Sequence, residues 1–145
     1  MKDESTTMIL LVGSDAALLE GVVQTLAARG YATVVSLSLQ EAAERCGESA
    51  PLVAVIDRDL AGEAPGLVLG IPLVRGGALV VFHQRVQQPA MLAPALQRAL
   101  LADLALPLER NRLLALVQHV EERVRATGRQ SRESTPTPTN QELSR

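Results

Sequence analysis

The stretch MILLVGSDAALLEGVVQTLAARGYATV, residues 8–34, decides the fold. Its first five residues, Met8 to Val12, are apolar without interruption, which suits a strand buried on both faces in a parallel sheet covered by helices. Gly13 and Ser14 end the run, and Asp15 stands where a carboxylate caps a helix N-terminus. From Ala16 to Arg29, the side chains of Leu18, Leu19, Val22, Val23 and Leu26 form one helical stripe, and Gly30 supplies the stop. Tyr31 to Leu37 is rich in β-branched residues and reads as a second strand. A strand–helix–strand unit is thus spelled out at the start of the chain.

The same alternation continues outward. Ser38 and Glu41 have capping-box spacing, and Leu39, Ala42, Ala43 and Cys46 give a second helical stripe closed by Gly47. Cys46 reads as a small core residue on that stripe. Leu52 to Ile56 is a third buried strand running into Asp57. Between Arg58 and Gly77 five glycines and two prolines interrupt any long helix, leaving room for a short one near Leu67. Ala78 to Phe82 is a fourth strand. Gln88 to Ala102 is rich in Ala and Leu and is expected to be helical, with Pro94 in its first turn. Leu104 to Leu106 makes a short fifth strand before Pro107. A last helix over about Glu109 to Ala126 carries Leu113, Leu116, Val117, Val120 and Val124 on one face.

The expected fold class is α/β: a doubly wound, five-stranded parallel sheet with helices on both faces and a short or degenerate third helix. Residues 1–7 are expected to be a flexible N-terminal segment and residues 8–127 one domain. Residues 128–145, dominated by Ser, Thr, Pro and charge, are expected to be a disordered tail. In such a sheet the functional edge lies at the carboxyl ends of the strands, where Gly13, Asp57, His83 and Pro107 gather.

Composition excludes several function classes. A net charge of -2 with no Trp, one Tyr and one Phe provides neither a basic footprint nor stacking platforms for nucleic acid. One cysteine and two widely separated histidines, His83 and His119, form no zinc-ligand pattern, and no metal or other cofactor is expected. The turn VGSDAALLEG has neither GxGxxG nor a Walker lysine, and no nucleophile elbow occurs, so no catalytic residue is assigned and no enzyme activity is expected. The polar start lacks a secretory signal and no apolar run is long enough to span a membrane, so a cytoplasmic location without membrane association is expected.

In this order the residues from about Met8 to Arg125 resemble a bacterial response-regulator receiver domain of the CheY-like type. The opening strand and helix, the Arg29-Gly30-Tyr31 turn and the run QEAAERCGESAPLVAVID to Asp57 carry the resemblance. It places Asp57 at the family's phosphoacceptor position. It places Pro107 at the proline that follows the family's active-site lysine on a cis peptide bond. The same resemblance marks the departures. The two adjacent acids that help hold magnesium are Gly13 and Ser14 here, with Asp15 one place too late. The hydroxyl residue after the fourth strand is His83, and the lysine is Leu106. The stretch Asp103 to Leu106 has no aromatic switch residue.

These losses matter because phosphoryl transfer to a carboxylate gathers negative charge that metal and cationic groups must stabilise. Magnesium needs hard oxygen ligands, and Gly13 and Ser14 offer no carboxylate. The expected type is therefore a degenerate pseudo-receiver: a stand-alone module of a two-component phosphorelay signalling system that acts through a protein partner, either another signalling component or a second copy of itself. With no output domain following, any response is expected to pass through that partner. Leu96, Leu100 and Leu101, on the expected fourth helix, form the candidate interaction face. The alternative is a conventional single-domain response regulator phosphorylated on Asp57 by a histidine kinase. A third reading, an unrelated enzyme or nucleotide-binding protein on the same kind of sheet, lacks a motif to support it.

Overall fold

In a computed structural model of the chain, residues 8–46, 49–84 and 92–134 are described, with side chains to residue 127. Five strands, β1 (Met8–Val12), β2 (Ala32–Ser36), β3 (Val53–Asp57), β4 (Ala78–His83) and β5 (Leu100–Ala105), form one parallel sheet in the order β2-β1-β3-β4-β5. This is the doubly wound architecture that the alternating pattern implied. The three central strands β1, β3 and β4 are buried along almost their whole length, because helices cover both faces.

Two helices cover one face: α1 (Ala16–Ala27) and α6 (Arg110–Ser134). Their apolar stripes, with Leu19, Val22 and Leu26 on α1 and Leu113, Val117 and Val120 on α6, pack on Ile9, Leu11, Val53, Val55, Val80 and Phe82. Among the described residues, four short helices cover the other: α2 (Leu39–Arg45), α3 (Arg58–Glu63), α4 (Pro65–Leu69) and α5 (Pro94–Ala99). There Leu10, Val12, Ala54, Ile56, Leu79 and Val81 meet Leu39, Ala42, Ala61, Val68 and Leu96. Cys46 is buried in this second cluster, and burial pushes its thiol pKa up, as for a packing residue.

Local chemistry sets the boundaries. Asp15 Oδ1 accepts from Leu18 N at 3.1 Å and caps α1. Gly30, at φ +87°, takes the left-handed conformation that turns the chain from α1 into β2. Ser38 Oγ accepts from Glu41 N at 3.1 Å, while Glu41 Oε1 reaches back one residue further than the box requires, to Leu37 N at 3.2 Å. Next to Gly30, Tyr31 donates its hydroxyl proton to Glu121 Oε1 at 2.8 Å, tying the entry of β2 to α6. Burial, with this carboxylate partner, pushes the phenol up to about 12.

Two expectations need correction and one needs extending. The helix expected over residues 88–102 is only α5, Pro94–Ala99, with Pro94 in its first turn; residues 88–91 lie outside those described. Leu100 and Leu101 instead begin β5, which starts four residues earlier than expected. The ladder with β4 outweighs the helical preference of Ala and Leu, which is a weak local term. Between Arg58 and Gly77 the short helix expected near Leu67 is α4, and a further one, α3, precedes it because Arg58 enters a helix directly from β3. Finally α6 runs through Gly128 to Ser134, past the expected end at Ala126 and into the segment expected to be disordered. A single Gly in a helix interior costs only about 1 kcal/mol, so Gly128 does not by itself end α6. Residues 1–7, 47, 48 and 135–145 are outside the description, and with them the expected stop at Gly47.

Candidate functional site

The carboxyl edge of the sheet gathers the residues that the sequence singled out. Val12 is in register with Ile56, so Gly13 leaves β1 beside Asp57, and Asp57 is in register with Phe82 on β4. His83 pairs with Ala105, one residue before Leu106. Gly13, Asp57, His83, Leu106 and Pro107 thus lie along one edge, as expected from the topology.

Asp57 ends β3 and begins α3. Its Oδ1 accepts from Asp59 N at 2.8 Å, which makes it the N-cap of α3. Burial raises its pKa above the ordinary carboxylate value, against the lowering effect of that hydrogen bond, and the nearby Asp59 charge raises it further. A half-shielded acid held this way favours its proton more than a solvated one.

The ground beside Asp57 is tightly packed at Gly13. Gly13 is buried, and a Cβ placed on it would stand 3.1 Å from Phe82 Cζ and 3.5 Å from Leu19 Cδ2. The chain's one phenylalanine, 1% exposed, therefore lies tight against position 13, and its ring must shift by a few tenths of an ångström to admit a Cβ there. Ser14 is exposed and neutral. Asp15 does not replace the missing acid: Oδ1 caps α1 and Oδ2 accepts from Gln84 Nε2 at 2.8 Å. The Gln84 hydrogen bond, followed by that from Leu18 N, holds its pKa below the usual carboxylate range. Among the described residues no group of three His, Cys, Asp or Glu side chains converges. The donor set at this edge does not fit a magnesium ion, which needs several hard oxygens at short range.

The β4–β5 half holds charge. Arg58, the first residue of α3, pairs through Nη1 with Asp103 Oδ2 on β5, across the end of β4. His83 Nδ1 lies 3.0 Å from Asp103 Oδ1. Leu106, in place of a lysine, is 1% exposed and packs into the α1–α6 core, while its amide donates to His83 O at 2.9 Å. The Leu106–Pro107 peptide is cis, as the resemblance implied. Glu109 Oε1 accepts from Ala105 N at 2.7 Å, the chief reason its pKa lies below the usual range.

Asp103 was not anticipated as a functional residue. Its two partners are 45 and 20 residues away in sequence. The available signal was an acid inside the otherwise apolar run LLADLALP, which calls for a cation or water on that face of the strand.

The expected interaction face does not exist as drawn. Leu96 is fully buried under the sheet, and Leu100 sits on β5 packed against the second core cluster. Leu101 is the residue bulged out where β5 slips register against Leu79 and Val80, and it alone of the three is exposed. The exposed leucines that follow strand ends at the carboxyl edge are Leu37 after β2 and Leu108 after β5, the latter 87% exposed. Among the described residues no helix is long and apolar enough to cross a membrane.

No family model matches the chain, and no curated protein matches it. Solved structures do. A CheY-like response regulator receiver domain from Methanospirillum hungatei JF-1 superposes with a TM-score of 0.60 at 19% identity, covering 83% of this chain and 98% of that one. The N-terminal domain of a response regulator/sensory box/GGDEF three-domain protein from Carboxydothermus hydrogenoformans gives 0.68 at 16% identity, with the same coverage of 83% and 98%. The signal receiver domain of an HD domain-containing protein from Pseudomonas fluorescens Pf-5 gives 0.66 at 14% identity over 89% and 96%. The chain has the receiver-domain fold.

Proposed function

We propose that this chain is an atypical receiver-fold signalling protein that acts by binding another protein, without magnesium-dependent phosphorylation of Asp57. The observation that carries this reading is the tight packing at Gly13, where the Phe82 ring must shift to admit even the Cβ of an acidic ligand. Two further features support it. Leu106 turns into the core, so the edge has no ammonium group at that position, and the neighbouring Arg58 is held by Asp103. An acyl phosphate on Asp57 would meet Asp59 nearby without a metal or lysine to offset its charge.

The module has no catalytic residue in this reading and needs no cofactor. Its partner is a signalling protein or a second copy of the chain, and the exposed Leu37, Leu101 and Leu108 are the apolar side chains available for contact around β2, β5 and their carboxyl ends. A cytoplasmic location accords with that role.

Incubating the purified chain with magnesium and acetyl phosphate, followed by intact mass measurement, tests the proposal. The expected result is an unchanged mass. A magnesium-dependent gain of one phosphoryl group, lost in Asp57→Ala, would overturn it in favour of a conventional response regulator.

A further inference from the structure

We infer that Asp103 is the pin of a charge lock: with Arg58 and His83 it fastens the β3–α3 turn, the end of β4 and the edge strand β5 in one arrangement, so that the chain presents its partner the same surface at all times. The three side chains come from three elements and meet on one carboxylate, whose two oxygens are divided between the guanidinium and the imidazole. Their side chains are 14%, 37% and 32% exposed for Arg58, Asp103 and His83, so the guanidinium is largely covered while the carboxylate and imidazole stay partly open to water.

Position gives the lock its effect. Arg58 follows Asp57, and the Asp57 carboxylate caps the helix that Arg58 begins. A displacement of that turn must pull the guanidinium off Asp103. On the other side β5 is an edge strand, held by β4 along one side only and interrupted by the bulge at Leu101. Asp103, in register with Val81 two residues past the bulge, adds a side-chain tie to that single ladder. The bond from Leu106 N to His83 O and that from Ala105 N to Glu109 Oε1 fix the strand's last residues behind it. A two-state edge requires two arrangements close in free energy, and a tie across three elements favours one of them.

This inference rests on reading the chain as a receiver-fold signalling module, but its test uses no phosphoryl donor, so the two fail separately. Native-state amide hydrogen exchange is measured on the full chain and on Asp103→Asn, Arg58→Gln and the double variant. Amides of α3 from Asp59 to Glu63 and of β5 from Ala102 to Ala105 are expected to exchange about tenfold faster in each single variant, and no faster in the double, with α1 unchanged. Arg58→Lys, which keeps a charge within reach of Asp103, is expected between the parent and Arg58→Gln, and it keeps the test available if a neutral variant unfolds. Unchanged exchange, effects that multiply in the double variant, a rise shared by α1, or Arg58→Lys as fast as Arg58→Gln would each overturn the lock.

Discussion

The two halves of the carboxyl edge are closed by different physics. On the β1–β3 side, where Gly13 and Asp57 stand together, the closure is apolar: the Phe82 ring, Leu19 and the absence of a side chain at position 13. On the β4–β5 side it is ionic, with Arg58, His83 and Asp103 sharing one cluster at the surface. Packing of the first kind is costly to disturb, because a buried ring removed leaves a cavity and a group added must push the ring aside. Ion pairing of the second kind, partly open to water, contributes far less to stability and more to which arrangement is populated. The edge is therefore rigid by packing on one side and fixed by charge on the other.

The largest effect is expected from Phe82→Ala, which should lower unfolding stability by about 3–5 kcal/mol in urea titration, as for other buried aromatic truncations. Gly13→Asp comes next, at about 1–3 kcal/mol, since its Cβ alone would crowd Phe82 Cζ. These two are coupled through the same space. In the double variant the cost of Gly13→Asp is expected to shrink by at least about 1 kcal/mol, and strict additivity would show that Phe82 is not what closes the position.

Asp103→Asn should cost only about 1 kcal/mol, and replacing the pair together, Arg58→Met with Asp103→Leu, should cost less than the single change. A loss of 3 kcal/mol or more in Asp103→Asn (about the scale of the Phe82 site) would erase the contrast between the halves.

Asp57→Asn is expected to have the smallest effect, of opposite sign. Because Asp57 has its pKa raised in the folded chain, ionising it opposes folding. That cost is absent below the ordinary carboxylate range and complete above the raised value. Asn retains the side-chain oxygen that accepts from Asp59 N. The variant should match or slightly exceed the parent's stability at pH 7, and the difference should vanish at pH 3. Denaturant midpoints at the two pH values check the sign.

The apolar half was largely legible in the sequence. Uninterrupted strands such as MILLV and LVAVI, with Asp15 and Ser38 as caps, carry local signals strong enough to place β1, α1 and β3 and to bring Gly13 and Asp57 together. What could not be read there was the content of the space at Gly13, since Phe82 arrives from another strand. The ionic half was poorly legible for two reasons. Its strand β5 begins in an Ala/Leu-rich stretch whose local preference is helical and which pairing with β4 overrides. Its cluster is assembled over separations that carry no periodic signal, so the sequence does not single out Asp103, and a helical reading puts Leu96 and Leu100 on a surface they do not reach.

Fluorine NMR of the chain with magnesium, beryllium and excess fluoride tests the central claim most directly, because the beryllofluoride adduct forms only where a carboxylate, a metal and a cation are already poised as for an acyl phosphate. The expected spectrum contains the free fluoride and beryllofluoride species alone. Protein-bound fluorine resonances that need magnesium and vanish in Asp57→Ala would contradict the account.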